Sequence, residues 1–442
     1  MTKSVNKESA QNTVYKRQSP SFTEGKVSLR RFPYPYKAAM AICSDIDETK
    51  TTEEFLEIQR FLNTKDATSM GKGVGLEIGN SFYFYDEDAE FSYFSHDEYA
   101  KRVIIDLIRA GYIDCLHSYG DGATSRDEIL RALDVLHKAD CKLDVWVNHY
   151  GARSNLSRKF EYLFGKCRGD DPDSNVYHAD VTLEYGIRFV WVGAGTRMIG
   201  QSPPTMNALS TLSTVFDPRY PLRTGLSVAK EMRKSILGRW GEDRFILHGL
   251  NELTRVTQLE DGQKVREFIR YCNHPISVSH GATSRGLAYV ISRRTLEHLE
   301  AAQGFMIVYT HLGKNSDCQQ VIAQETQEAL RNLEREYRDG QIYVTTTSKL
   351  LNHHHACQYL VWSHQQNNGQ IQINIDHVDD PVFGQSHPTL EQLQGVTFYV
   401  PDNSRVDIYL RGVKLKDIRR YPPDESGVQS VAIPLTHLSF PY

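Results

Sequence analysis

Four apolar runs in this chain end in carboxylates or histidines. AAMAIC (38–43) leads into Ser44, Asp45, Ile46 and Asp47, and YIDCL (112–116) into His117, Ser118, Tyr119, Gly120 and Asp121. LDVWV (143–147) leads into Asn148, His149, Tyr150 and Gly151, and FMIVYT (305–310) into His311, Leu312 and Gly313. Carboxylates and imidazoles together can hold a divalent ion, move protons near neutral pH, or do both. Asp45 and Asp47, two residues apart, suit a division in which one binds a cation and the other stays free as a base. His117 with Asp121 four residues on suits one divalent ion. His149 reads as a further ligand or as a donor in the cleft. His311, past a very apolar strand, reads as a general acid or base at the rim. Each motif also has a plain structural reading: turn or cap residues for the acids, satisfied core imidazoles for the histidines.

Short apolar runs bounded by Gly and polar residues read as buried strands. In parallel α/β sheets, ligand and catalytic groups gather just past the carboxyl ends of the strands. Four such ends therefore predict one convergent site. Helices are legible between them. DEYAKRVIIDLIRAG (97–111) places Tyr99, Val103, Ile104, Leu107 and Ile108 on one face and ends on Gly111. SRDEILRALDVLHKAD (125–140) opens with Ser125 and Glu128 in capping-box spacing. RRTLEHLEAAQG (293–304) and the long stretch 318–340 are amphipathic and end on Gly304 and Gly340, and QIYVTTT (341–347) follows as a strand. This alternation predicts a parallel sheet, open or closed into a barrel, over 36–350. Residues 1–35 are expected to be a mobile arm. Residues 351–442 turn to alternating strands with Gly, Asn, Asp and Pro turns, which predicts a small β-sandwich-like domain. The His353–His354–His355 trio at that junction is expected at the surface. Residues 73–95 suggest a hairpin over the barrel mouth, and 203–225 an irregular insertion.

With 442 residues, 40% hydrophobic and 24% charged, the composition is that of a globular chain of about two domains. Net charge is −4, so the composition as a whole gives no pull toward nucleic acid or an anionic membrane. No run approaches the length of a membrane span, and the N-terminus lacks an apolar leader. The seven cysteines show no CxxC spacing, which predicts reduced packing residues and a cytoplasmic protein.

The order SDID, HSYGD, VNHYG, YTHLG resembles the polysaccharide deacetylase family with the NodB-homology domain, carbohydrate esterase family four, over 36–350. The resemblance implies a distorted (β/α) barrel of the glycoside hydrolase/deacetylase type. It also implies a metal-dependent N-deacetylase acting on an N-acetylated glycan or glycan precursor of surface-polysaccharide synthesis. By position, Asp45 would be the catalytic base, and Asp47, His117 and Asp121 the metal set. Tyr150 would offer its backbone N–H to an oxyanion, and His311 would be the catalytic acid. The ion would be zinc, or cobalt, nickel or manganese. The sequence departs from the family pattern in three places. Its first motif is Asp-Ile-Asp rather than adjacent acids, and Asp121 stands where the second metal histidine belongs. Val147 stands where an arginine orients the base, with Arg153 as a substitute.

Two other classes fit parts of the chain. Asp45, Asp47 and Thr49 match the opening of haloacid-dehalogenase phosphatases, with Asp379 and Asp380 as the later acids, but that reading leaves the histidines without a role. A non-catalytic glycan binder would use Tyr83, Phe84, Tyr85, Trp191 and Trp362 as stacking surfaces. The oligomeric state is not legible.

Overall fold

The computed structural model describes residues 27–442 apart from 47–48, 50, 87–90, 206–211, 315–319, 368 and 403. The chain enters through β1 (Ser28–Leu29), part of a peripheral sheet, then forms β2 (Ala38–Asp45) and a short ribbon, β3 (Ala67–Thr68) with β4 (Gly71–Lys72). The central strands follow: β5 (Gly79–Phe82), β6 (Ile113–His117), β7 (Val145–Val147), β8 (Phe189–Trp191), β9 (Gly195–Thr196) and β10 (Thr254–Gln258). They continue with β11 (Lys264–Phe268), β12 (Arg270–Tyr271), β13 (Phe305–Thr310) and β14 (Ile342–Thr345). These strands form one curled, half-barrel sheet in the order β10-β11-β8-β7-β6-β5-β2-β13-β12-β9, with β14 also on β2. All pairs are parallel except β10 with β11. All eight residues of β2 are buried, as expected for a central strand covered on both faces.

Helices cover the outer face and fix the curl. The helix Glu98–Ala110 buries Val103, Ile104, Leu107 and Ile108, is capped by Asp97 accepting from Ala100 N, and stops at Gly111, whose φ is 82°. Each such side chain contributes roughly 1.5–3 kcal/mol of burial. The capping box of Ser125 and Glu128 is formed at the start of Arg126–Lys138.

Four expectations change. The stretch expected to be a hairpin supplies β5, a parallel strand between β2 and β6. Its inner face is polar, so no apolar run announced it. The expected irregular insertion gives way at Pro221 to a helix, Pro221–Arg239. The histidine trio lies in a helix, Thr347–Tyr359, with His353 and His355 buried rather than at the surface. Of the expected mobile arm, 1–26 fall outside the described residues. The rest is packed: Ser28 and Leu29 pair with Tyr399 and Phe398, and the Arg30 guanidinium is buried on the carbonyls of Phe32 and Pro33.

Beyond 359 the chain is built of strands: β15 (Leu360–Asn367), β16 (Gln370–Asp380), β17 (Gly384–Ser386), β18 (Thr397–Tyr399), β19 (Arg405–Leu410), β20 (Val413–Lys414), β21 (Arg419–Tyr421) and β22 (Ser430–Ala432). They form two small sheets, one of which includes β1. Ile371, Ile373, Ile375, Phe398, Ile408 and Val431 fill the core between them. This part is tied back to the larger one. Asp380 meets Arg266 of β11 (3.0 Å), and the tail returns so that Leu438 N donates to Glu77 and the Tyr442 hydroxyl to Asp106.

Candidate active site

Side chains at i and i+2 of a strand share a face. On the inner face of the curled sheet this rule stacks two layers. Cys43, Cys115, Val147, Trp191 and Arg270 form one. At the carboxyl ends above it stand Asp45, Ser81, His117, His149, Tyr309 and His311. Two turns hold these ends. After His117 the chain reverses through Ser118 (φ 50°) and Gly120 (φ 93°), and a Cβ on Gly120 would stand 1.7 Å from the Tyr85 carbonyl oxygen. After β7, the buried Asn155 side chain accepts from His149 N (2.8 Å) and donates to His149 O (2.6 Å), while Asn148 fastens Leu156. The imidazole of His149 therefore rises from a clamped backbone.

Asp45 is the hub. One carboxylate oxygen accepts from Ser81 Oγ (2.9 Å), and the other from the Tyr309 hydroxyl (2.6 Å). That second oxygen also lies 2.5 Å from His117 Nδ1 and 3.7 Å from His311 Nε2. Burial pushes this carboxyl up, but His117, His311 and the Tyr309 hydroxyl outweigh it and hold Asp45 well below the usual carboxylate range. The ionised carboxylate can only accept, so the single Tyr309 proton lies toward Asp45. The Tyr309 oxygen, 2.8 Å from His311 Nε2, then accepts from an Nε2–H. His311 Nδ1 faces the Ala282 carbonyl at 3.3 Å.

The His117 and His149 rings meet edge to face, centroids 4.6 Å apart, with Tyr83 tilted against His149 at 5.3 Å. Burial, then the neighbouring His117, lowers the His149 pKa to about 3, and its Nδ1 is buried without a hydrogen bond to any described residue. This imidazole is neutral, with a lone pair available.

Below them, Arg270 is buried between the rings of Trp191 (4.3 Å) and Tyr309 (4.6 Å), and none of its guanidinium nitrogens makes a hydrogen bond to a described residue. Two ring faces offset part of the cost of burying that charge. Its position also places a positive charge against the ring whose hydroxyl binds Asp45.

The four expected strand ends thus do converge, and Asp45, His117, His149 and His311 stand together. The other expected residues do not join them in the same way. Asp47 lies outside the described residues. Asp121 is partly buried on the turn past β6, and with His117 it belongs to no ligand group of three among the described residues. Tyr150, expected for its backbone N–H rather than its ring, follows His149 in the loop and is 76% exposed. Arg153, expected as a substitute for the orienting arginine, is exposed and donates to Asn175 (3.3 Å) instead. Asp379 and Asp380 lie in β16, in a different sheet from Asp45. Ser81, Tyr309 and Arg270 were missed as site residues. The i+2 alternation from His311 was the signal that could have found Tyr309; no comparable pattern marked Ser81 or Arg270.

Among the described residues, one buried group, Cys43, Asp114 and Cys115, could hold a metal, with ligand atoms within 4.8 Å of one another. Its chemistry is poor for that. Burial raises the Asp114 carboxyl to about 7 and pushes the Cys115 thiol well up, whereas ligation needs the ionised forms. Asp114 instead accepts from Ser348 N (2.7 Å) in the first turn of Thr347–Tyr359.

Comparison with models of known protein families, with curated proteins and with solved structures found no match.

Proposed function

We propose that this protein is a metal-dependent hydrolase that removes the N-acetyl group of a glycan or glycan precursor. The observation that carries the reading is the convergence of Asp45, His117, His149 and His311 at the carboxyl ends of β2, β6, β7 and β13. The donor set fits a divalent ion. His149 is a neutral imidazole with a buried nitrogen that has no hydrogen-bond partner among the described residues. Asp45 at His117 Nδ1 leaves His117 Nε2 as the ligand atom, the arrangement in which a carboxylate orients a metal-binding imidazole. His117 and His149 would hold the ion, with Asp47, two residues past Asp45, and Asp121, four past His117, as the carboxylate candidates. Zinc matches this set, with cobalt, nickel or manganese as alternatives. When bound, such an ion supplies an acidified water and a polarised carbonyl.

The chain's own residues supply the remainder. A carboxylate held by Ser81, Tyr309 and His117 is a weak base, so Asp45 serves to fix His117 rather than to take a proton. His311, with Nε2–H on the Tyr309 oxygen, stands ready to give a proton to the departing sugar amine. The fold fits the same reading. Only Ile269 separates β11, near one end of the strand order, from β12, near the other, a junction that supports reading the curled sheet as a (β/α) barrel. The region beyond 359 would then be an all-β appendage. A cytoplasmic step in surface-polysaccharide synthesis would supply the substrate.

The test is metal analysis of the purified protein together with acetate release from N-acetylglucosamine oligomers. His117→Ala is expected to lose both the ion and turnover while still unfolding as a folded protein in a cooperative transition. If the variant releases acetate at the wild-type rate, the metal role assigned to His117 is wrong.

A further inference from the structure

The helix Pro221–Arg239 is amphipathic the wrong way round. Its buried residues are Thr224, Ser227, Glu231 and Gly238. Ser227 accepts from Arg197, and Glu231 accepts from Thr196 and Lys234, with His248 at 3.5 Å. A Cβ on Gly238 would stand 2.1 Å from the Phe245 carbonyl oxygen. The side facing water is apolar. Leu222 is 85% exposed, Leu226 67% and Trp240 79%, and Met232 and Ile236 are also exposed. At about 100° per residue, Leu222, Leu226, Ala229, Ile236 and Trp240 fall on one stripe opposite the buried face. Arg223, Lys230, Arg233 and Arg239 are exposed in and beside it, and the helix's single acid, Glu231, points the other way.

Such a face gains nothing from folding in water. A rim of Lys and Arg around Leu and Trp is the pattern of a helix lying in the headgroup region of a membrane. No helix of the described residues is long and apolar enough to cross one. A second copy of the chain would bring like charges together on this face, whereas anionic headgroups complement them. Lys234 Nζ donates to Gly195 O, the first residue of β9, and Glu231 accepts from Thr196, so the helix is anchored along β9.

We infer that Pro221–Arg239, with Trp240, is a docking surface for an anionic lipid bilayer and holds the flank of the sheet at β9 against the membrane surface. This concerns where the protein sits and stands whether or not the site hydrolyses a glycan. The test is co-sedimentation of the full chain with vesicles of phosphatidylcholine alone or with a third phosphatidylglycerol. Trp fluorescence and solution mass are read in parallel. Wild type is expected to bind the anionic vesicles, to weaken as salt rises, and to show blue-shifted emission that Trp240→Phe removes. Leu222→Glu with Leu226→Glu is expected to reduce binding at least tenfold without changing the melting temperature. Arg233→Glu alone is expected to cost about fivefold or more. No binding to either vesicle at low salt overturns the inference. So does a dimer that the double variant dissociates while vesicles leave it untouched, which would make the occupant a second copy.

Discussion

The roles of single side chains follow from what each can accept or donate. Tyr309 joins Asp45 to His311, so Tyr309→Phe should lower turnover about 100-fold, within the span of acid–base contributions, while the ion content measured by metal analysis stays at the wild-type level. His149 makes a prediction about pH. Its folded pKa, lowered to about 3, lies below the ordinary value of about 6.5. The unfolded chain therefore binds the extra proton between these values, and the stability that neutral His149 contributes is complete above pH 6.5 and lost as pH falls toward 3. Urea melts of chelator-treated protein should show wild type losing about 2 kcal/mol more than His149→Phe between pH 7.5 and pH 5. At this scale the sequence was legible where a reactive residue follows an apolar run, as with Asp45, His117 and His311. It was silent on Arg270, a charge in a core position that only ring contacts with Trp191 and Tyr309 explain.

At the scale of elements, stability rests on the helices that press the curled sheet into shape. Leu107 is fully buried in the helix Glu98–Ala110, and Leu107→Ala should cost about 3 kcal/mol in chemical denaturation. Gly79 is a narrower test. Its Cβ would fall 2.3 Å from Asp114 Oδ1, so Gly79→Ala must push the carboxylate from its place at the start of Thr347–Tyr359. A loss of about 1–3 kcal/mol is expected in the same assay. Elements with a clean period were readable: β2, β13 and the helices at 98–110 and 126–138. β5 was not, because GNSF alternates small and polar residues to serve the site and to leave room for Asp114. The helix Pro221–Arg239 was missed for a related reason. Its apolar stripe faces outward, and its start sits among Pro and Asp residues that read as loop.

For the whole molecule, the larger sheet and the strands beyond 359 are coupled by buried charge. Asp380 binds Arg266 and the His355 imidazole, and although burial raises its carboxyl, those partners hold it below the usual range. Asp380→Asn should leave Arg266 buried and uncompensated, at a cost of about 3–5 kcal/mol seen in urea titration. Charge on the scale of the chain was a poor guide to surfaces. A net −4 hides a helix with five Lys or Arg against one acid. The alternation of strands and helices did reveal a parallel sheet, since buried strands and capped helices obey local rules. Its curl and its contacts with the tail depend on pairings hundreds of residues apart, which no local pattern encodes. All of this serves one arrangement, two imidazoles and their orienting carboxylate at one mouth. The most direct test is an anomalous difference map at the zinc edge from crystals grown with zinc. A single strong peak about 2.0–2.1 Å from His117 Nε2 and from a ring nitrogen of His149 is the expected result. A map with no peak between those rings, or with the ion at Cys43 and Cys115 instead, would contradict the account.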